Sequence, residues 1–189
     1  PETPNKYGVS IEKIQDTSGR PLPFVINKTM MRIDLPKILK SKEKITFSID
    51  WNYNLADRMK QGGRGGYEYF PEDGNYLFTI TQWFPRMCVY SDFKGWQNNQ
   101  FTGRGEFALT FGNYEVEINV PADHVVAATG ECQNYESVLS PSQFSRWKQA
   151  QTAKEPLEII TLDEAEKAEK SKSKTRKTWI YKADNVRDF

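Results

Sequence analysis

The residues of this chain that could carry acid–base, nucleophilic or metal chemistry are few and scattered. There is one histidine, His124. Zinc catalysis ordinarily draws three protein ligands with at least one His or Cys among them, and serine or cysteine nucleophiles ordinarily depend on a His base. His124 follows Pro121-Ala122-Asp123 with no HExxH around it, so it reads as part of a solvent-facing turn. Cys88 and Cys132 sit in no CxxC and beside no partner histidine; they read as two small buried hydrophobes, with one disulfide between them as the alternative. Gln61-Gly62-Gly63-Arg64-Gly65-Gly66 lacks the following GK[ST], or the strand-to-helix GxGxxG, that a phosphate cradle requires, and reads as a mobile loop. Glu72 and Asp73 are adjacent turn residues whose carboxyls diverge, unlike a glycosidase pair. Arg86 and Asp92 are spaced either to orient one another or to form a rim salt bridge. The chain by itself is therefore expected to be no enzyme and to hold no cofactor.

Composition narrows the partners. With 26 Lys+Arg against 25 Asp+Glu the net charge is +1, so the basic field of a typical nucleic-acid binder is missing and no nucleic-acid partner is expected. Lys170 to Lys177 is a polar, positively charged stretch that reads as a loop more readily than as a nucleic-acid arm. Apolar runs such as Val125 to Ala128 fall far short of the ~20 residues of a membrane span. The start, Pro1-Glu2-Thr3-Pro4, has no charged-then-apolar signal. These features predict a soluble segment without a membrane span and leave its compartment unassigned. Asn27-Lys28-Thr29 matches a glycosylation acceptor, which has meaning only in a secreted eukaryotic chain. At 189 residues the chain has about one domain's length, enough to bury roughly 70% of its unfolded surface.

The elements that must position these residues are mostly strands. Tyr7 to Ile14, Thr29 to Leu35, Glu43 to Tyr53, Glu106 to Phe111 and Tyr114 to Val120 are rich in β-branched and aromatic residues. Alternation in the last of these puts Tyr114, Val116, Ile118 and Val120 on a buried face and Glu115 and Glu117 on a wet one. Gly112-Asn113 suits a tight hairpin turn joining the last two strands. After Leu139 the pattern changes. Ser140 caps a helix with Pro141 in its first turn, running to about Lys154. Leu157 to Ile160 is a short strand candidate, and Thr161-Leu162-Asp163-Glu164 is a capping box opening a second helix. Strand character returns at Thr178 to Ala183. The reading is an all-β, antiparallel sandwich or saddle-like domain over 1–189, with a helical and loop insertion at 140–177 whose helices lie near 141–169.

The densest stretch runs from Gly66 to Asp92. A turn at Asp73-Gly74 feeds a strand, Phe78-Thr79-Ile80-Thr81-Gln82, whose end delivers Gln82, Trp83 and Phe84 to Pro85; Arg86 then leads a second strand into Ser91-Asp92. An aromatic and polar strand end of this kind suits ligand or domain contact, and from composition it equally suits a core corner.

This stretch, continued by Gly95-Trp96, by Gly105-Glu106-Phe107 and by Val120-Pro121 through Ala127-Ala128-Thr129-Gly130, resembles the N-terminal domain of zinc aminopeptidases of the aminopeptidase N family, which includes the leukotriene hydrolase. The shared pieces occur in order: a "TQ" strand end, "W-F/Y-P-R", an aspartate turn, a "G-E-F" strand, "V-x-V-P", and "V-A-x-A-T-G". Trp179 to Phe189 looks like the strand leading that domain into the catalytic one. The resemblance covers about Tyr67 to Gly130 and the last eleven residues.

The resemblance implies an all-β domain packed over a thermolysin-like catalytic domain that carries HExxH and a GxMEN loop. Both motifs are absent here, so the zinc is expected in that other domain of the same polypeptide and no metal ligand is expected in this chain. The chain would be a noncatalytic piece of a metallopeptidase that covers the cleft and helps to bind the free N-terminus of a peptide substrate. By the same resemblance Gln82 takes the position of the Gln or Glu that contacts the substrate's N-terminal residue; the alternative is a structural amide bonded to backbone. Trp83, Phe84 and Tyr69 are candidate pocket walls, and each also reads as a core residue. A different class stands beside this: a carbohydrate-binding β-sandwich using some of the five Trp, nine Tyr and eleven Phe for sugar stacking.

Overall fold

The computed structural model describes residues 8–103, 108–170 and 172–189. Among the described residues strands hold 34% and helices 15%, which places the chain in the all-β class with small helical parts. Among the described residues the strands form one three-stranded and four two-stranded sheets. The described residues cluster into two compact units, one drawn from Pro1–Tyr67, Phe78–Ile80 and Phe84–Ala108, the other from Glu68–Leu77, Thr81–Trp83 and Leu109–Phe189.

In the first unit β1 (Ser10–Asp16) runs antiparallel to a later strand, and the Asp16 carboxylate closes the turn that follows it. That carboxylate accepts the Ser18 N–H at 2.8 Å, the Ser18 hydroxyl at 2.6 Å and the Arg20 N–H at 3.1 Å. These bonds favour the ionised form and hold its pKa down at about 2, the Ser18 hydroxyl contributing most. Strands β2 (Phe24–Asn27) and β3 (Met30–Ile33) form a hairpin across Lys28-Thr29, with Lys28 at φ 54°. Gln100 clips this turn, accepting from the Thr29 hydroxyl at 2.7 Å and donating to the Asn27 carbonyl at 2.8 Å. The partner of β1 is β4 (Phe47–Asn52), and Ile14, opposite Ile49, is buried. A single helical turn, α1 (Arg58–Gln61), is capped by Asp57.

Strands β5 (Gly66–Phe70) and β6 (Asn75–Thr79) pair across a turn at 71–74 that includes the Asp73-Gly74 pair. Gly66 is obligatory: at φ 138° an added Cβ would lie 2.4 Å from the Ala56 carbonyl oxygen. A miniature hairpin, β7 (Tyr90–Ser91) with β8 (Gly95–Trp96), lies in the first unit.

The second unit is built on β9 (Gly112–Pro121), β10 (Glu131–Cys132) and a long final strand, β11 (Arg176–Val186), in the order β10-β11-β9. Register pairs Ile118 with Trp179, Val116 with Tyr181 and Tyr114 with Ala183, so the expected apolar face of β9 lies against the buried face of β11. On the other face Glu115 meets Lys182 at 3.4 Å, and the Asn119 amide donates to the Thr178 hydroxyl at 2.8 Å. Val138, at the end of the one-turn helix α2 (Tyr135–Val138), joins Trp179 and Tyr181 in the core, with Ile118, Val120, Val126 and Phe189 packed around them.

Both capping motifs hold. Helix α3 (Pro141–Ala150) starts on Ser140, which accepts from the Gln143 N–H while the Gln143 side chain accepts from Ser140 N–H. Helix α4 (Leu162–Glu169) starts on Thr161 with Glu164 in the reciprocal role.

Several expectations fail in whole or in part. Gly112 and Asn113 are the first residues of β9 rather than a hairpin turn, because β9 pairs with β11; Asn113 Oδ1 accepts the Asn185 N–H at 2.9 Å across the irregular end of that pairing. Of the strand expected over Glu106 to Phe111, residues 106 and 107, like the Gly105-Glu106-Phe107 motif, lie outside the described residues, and 108–111 are not strand. Leu157 to Ile160 forms no strand, since the Ile159 carbonyl accepts Arg146 Nε at 2.9 Å instead of a ladder partner. The loop expected over Lys170 to Lys177 gives way at Arg176 to β11, and within it the Ser173 N–H is held by the Asp123 carboxylate at 2.6 Å.

Candidate functional site

The strand predicted to end at Gln82 stops at Thr79. Gln82 lies in a bend with φ 51°, in the left-handed region that costs a residue with a Cβ conformational energy. Its side chain is exposed, and among the described residues no hydrogen bond engages its amide. Among the described residues, then, the amide is not bonded to backbone.

The next residue is anchored. Half-buried Trp83 donates its indole N–H to the Phe189 carbonyl at 3.2 Å. The Phe189 ring in turn lies 6.1 Å from Tyr114 and 6.4 Å, edge-on, from Tyr181, both on the three-stranded sheet. Tyr181 is buried and donates its hydroxyl to the Val126 carbonyl at 2.8 Å. The exposed amide of Gln82 thus sits one residue from a side chain tied into the unit's core.

The other candidate walls make contacts of their own. Tyr69, on β5, lies 4.8 Å from Tyr76 of β6 with the rings tilted by 39°, and is exposed. Phe84 belongs to the first unit, where the Arg86 guanidinium lies 5.3 Å over its ring. Glu72 and Asp73 are exposed on the β5–β6 turn. An open groove of about 350 Å³ in the first unit is lined by Asp16, Thr17, Gly19, Thr46, Phe47 and Ser48, and its one carboxylate is already saturated by Ser18 and Arg20.

Among the described residues no three of His, Cys, Asp and Glu come together to hold an ion. His124 Nδ1 lies 2.9 Å from Asp123 Oδ1, and the Asp123 carboxyl is held below its ordinary pKa first by the Ser173 N–H and then by His124. Both cysteines are free and half-buried: Cys88 lies 3.8 Å from the Met30 sulfur and Cys132 lies 3.4 Å from Asn134 Oδ1. Among the described residues no helix is long and apolar enough to cross a membrane.

No protein-family model, curated protein or solved structure matches the chain. Sequence reasoning missed the left-handed backbone of Gln82, which Thr81-Gln82-Trp83 does not signal, and the Trp83–Phe189 bond, which joins residues 106 apart.

Proposed function

We propose that this chain is the noncatalytic N-terminal β domain of a zinc-dependent aminopeptidase, which covers the catalytic cleft and contacts the substrate's N-terminal residue through Gln82. The observation supporting this is the exposed Gln82 amide, unbonded among the described residues and carried on a left-handed backbone. Such backbone is retained where surrounding structure enforces it, and it clusters at ligand-contacting positions. An amide oxygen can accept from a substrate ammonium without adding a carboxylate that must be desolvated. The partners in this reading are the catalytic domain of the same polypeptide and a peptide with a free N-terminus. The zinc belongs to that catalytic domain. The test is expression of the gene's full reading frame and assay of zinc-dependent release of an N-terminal residue, with Gln82→Ala alongside. Activity weakened by the substitution, with KM raised, is the expected result. A full-length protein without HExxH, or a Gln82→Ala enzyme with unchanged KM and kcat, overturns the reading.

A second reading has its own observation. Tyr90 and Trp96 meet edge-to-face at 5.2 Å on the β7–β8 hairpin and are 64% and 55% exposed, with Phe93 82% exposed in the turn between them. Exposed rings of this kind suit stacking on a sugar face. A glycan titration followed by tryptophan fluorescence separates the readings: a saturable change lost in Trp96→Ala supports carbohydrate binding, and a flat response removes it.

A further inference from the structure

We infer that the Trp83–Phe189 hydrogen bond is a clamp that holds Gln82 in its left-handed conformation, making Trp83 a positioning residue for the Gln82 amide; its functional meaning rests on the ammonium-contact reading above. A Gln residue at φ 51° relaxes to negative φ unless its neighbours forbid it. On the N-terminal side, regular pairing has already ended at Thr79, so the ladder does not fix Gln82. On the C-terminal side the fixed point is immediate. The Trp83 indole donates to the Phe189 carbonyl, and the Phe189 ring packs with Tyr114 and Tyr181 in the second unit's core. A buried or half-buried tryptophan normally places its N–H on a partner, and here that requirement sets where Trp83, and therefore the peptide unit before it, must lie. Among the described residues the exposed Gln82 side chain makes no bond that could hold the backbone.

The test uses the whole chain. In the wild type the Trp83 indole proton should exchange with solvent at least about tenfold more slowly than that of free tryptophan. Gln82 should show the strong intraresidue HN–Hα contact in NMR spectra that positive φ produces. In Trp83→Phe, which keeps a ring and removes the donor, that contact should weaken while the β9 and β11 amide resonances stay in place. An unprotected indole proton in the wild type overturns the clamp, as does a folded Trp83→Phe protein whose Gln82 contact is unchanged. If Trp83→Phe does not fold, the wild-type indole exchange decides alone. A separate arm adds trialanine amide and, as control, its N-acetylated form while the Gln82 side-chain amide is observed. A shift with the free amine only supports the ammonium reading. No shift with either removes that reading and leaves the clamp, judged by the indole and backbone signals, standing.

Discussion

The Tyr181 hydroxyl donates to the Val126 carbonyl at 2.8 Å, so the most buried phenol of the second unit meets its hydrogen-bonding requirement inside the core. Tyr181→Phe keeps the ring and strands the carbonyl. It should lower stability by about 1–3 kcal/mol, read from urea unfolding of the two proteins.

The same phenol has its pKa raised, first by burial and then by the neighbouring Tyr135 and Cys132. A group with a raised folded pKa contributes stability that is complete below its unfolded pKa of about 10 and is lost as pH rises toward the folded value. Phenolate absorbance at pH 11 should therefore be equal in folded wild type and Tyr181→Phe. Extra absorbance in the wild type at that pH would show a phenol open to solvent.

Glu164 links two helices: Arg146 of α3 donates to its carboxylate, which also accepts the Thr161 N–H at 3.1 Å. Arg146 first, then Thr161, holds its pKa down to about 2 from an ordinary 4.5. The folded value is the lower one, so the contribution is present above pH 4.5 and disappears as pH falls toward 2. Melting temperatures of wild type and Glu164→Gln should differ at pH 7 and converge near pH 2; a gap that persists in acid would place the effect elsewhere.

Gly130 has φ 83°, and an added Cβ would lie 2.1 Å from the Lys182 carbonyl oxygen. Gly130→Ala should cost at least roughly 1–3 kcal/mol and speed amide exchange where β10 meets β11, at Cys132 above all. Gly112→Ala is the control, because its nearest neighbour would be the Tyr114 ring at an ordinary 3.7 Å.

Ser140→Ala removes the cap that accepts from the Gln143 N–H at 3.3 Å. It should lower stability by about 1 kcal/mol, with Ser140→Gly less costly, as read from chemical unfolding monitored by helical circular dichroism.

The parts readable in advance were those whose cause is local. The buried face of Tyr114, Val116, Ile118 and Val120 follows from the two-residue strand period. The caps at Ser140 and Thr161 follow from side chains reaching three residues ahead. The partner of β9 was not local: Gly112-Asn113 offers good turn chemistry, and the pairing instead went to a strand some sixty residues on. Gln82 stands out by its motif, but its left-handed backbone is not signalled by the local sequence, and the bond beside it joins Trp83 to Phe189, 106 residues on.

The pairing of Asn119 with Thr178, 59 residues apart, also bears on how fast the chain reaches this state. The β9–β11 ladder cannot zip from a turn; its ends must first meet by diffusion, with the loop entropy lost before any ladder bond forms. The capped helices α3 and α4 lie inside that loop and, needing only local contacts, can form early and shorten the effective search. Refolding should therefore show helical signal rising ahead of burial of Trp179, and weakening the caps should slow the closing of a sheet to which neither helix belongs.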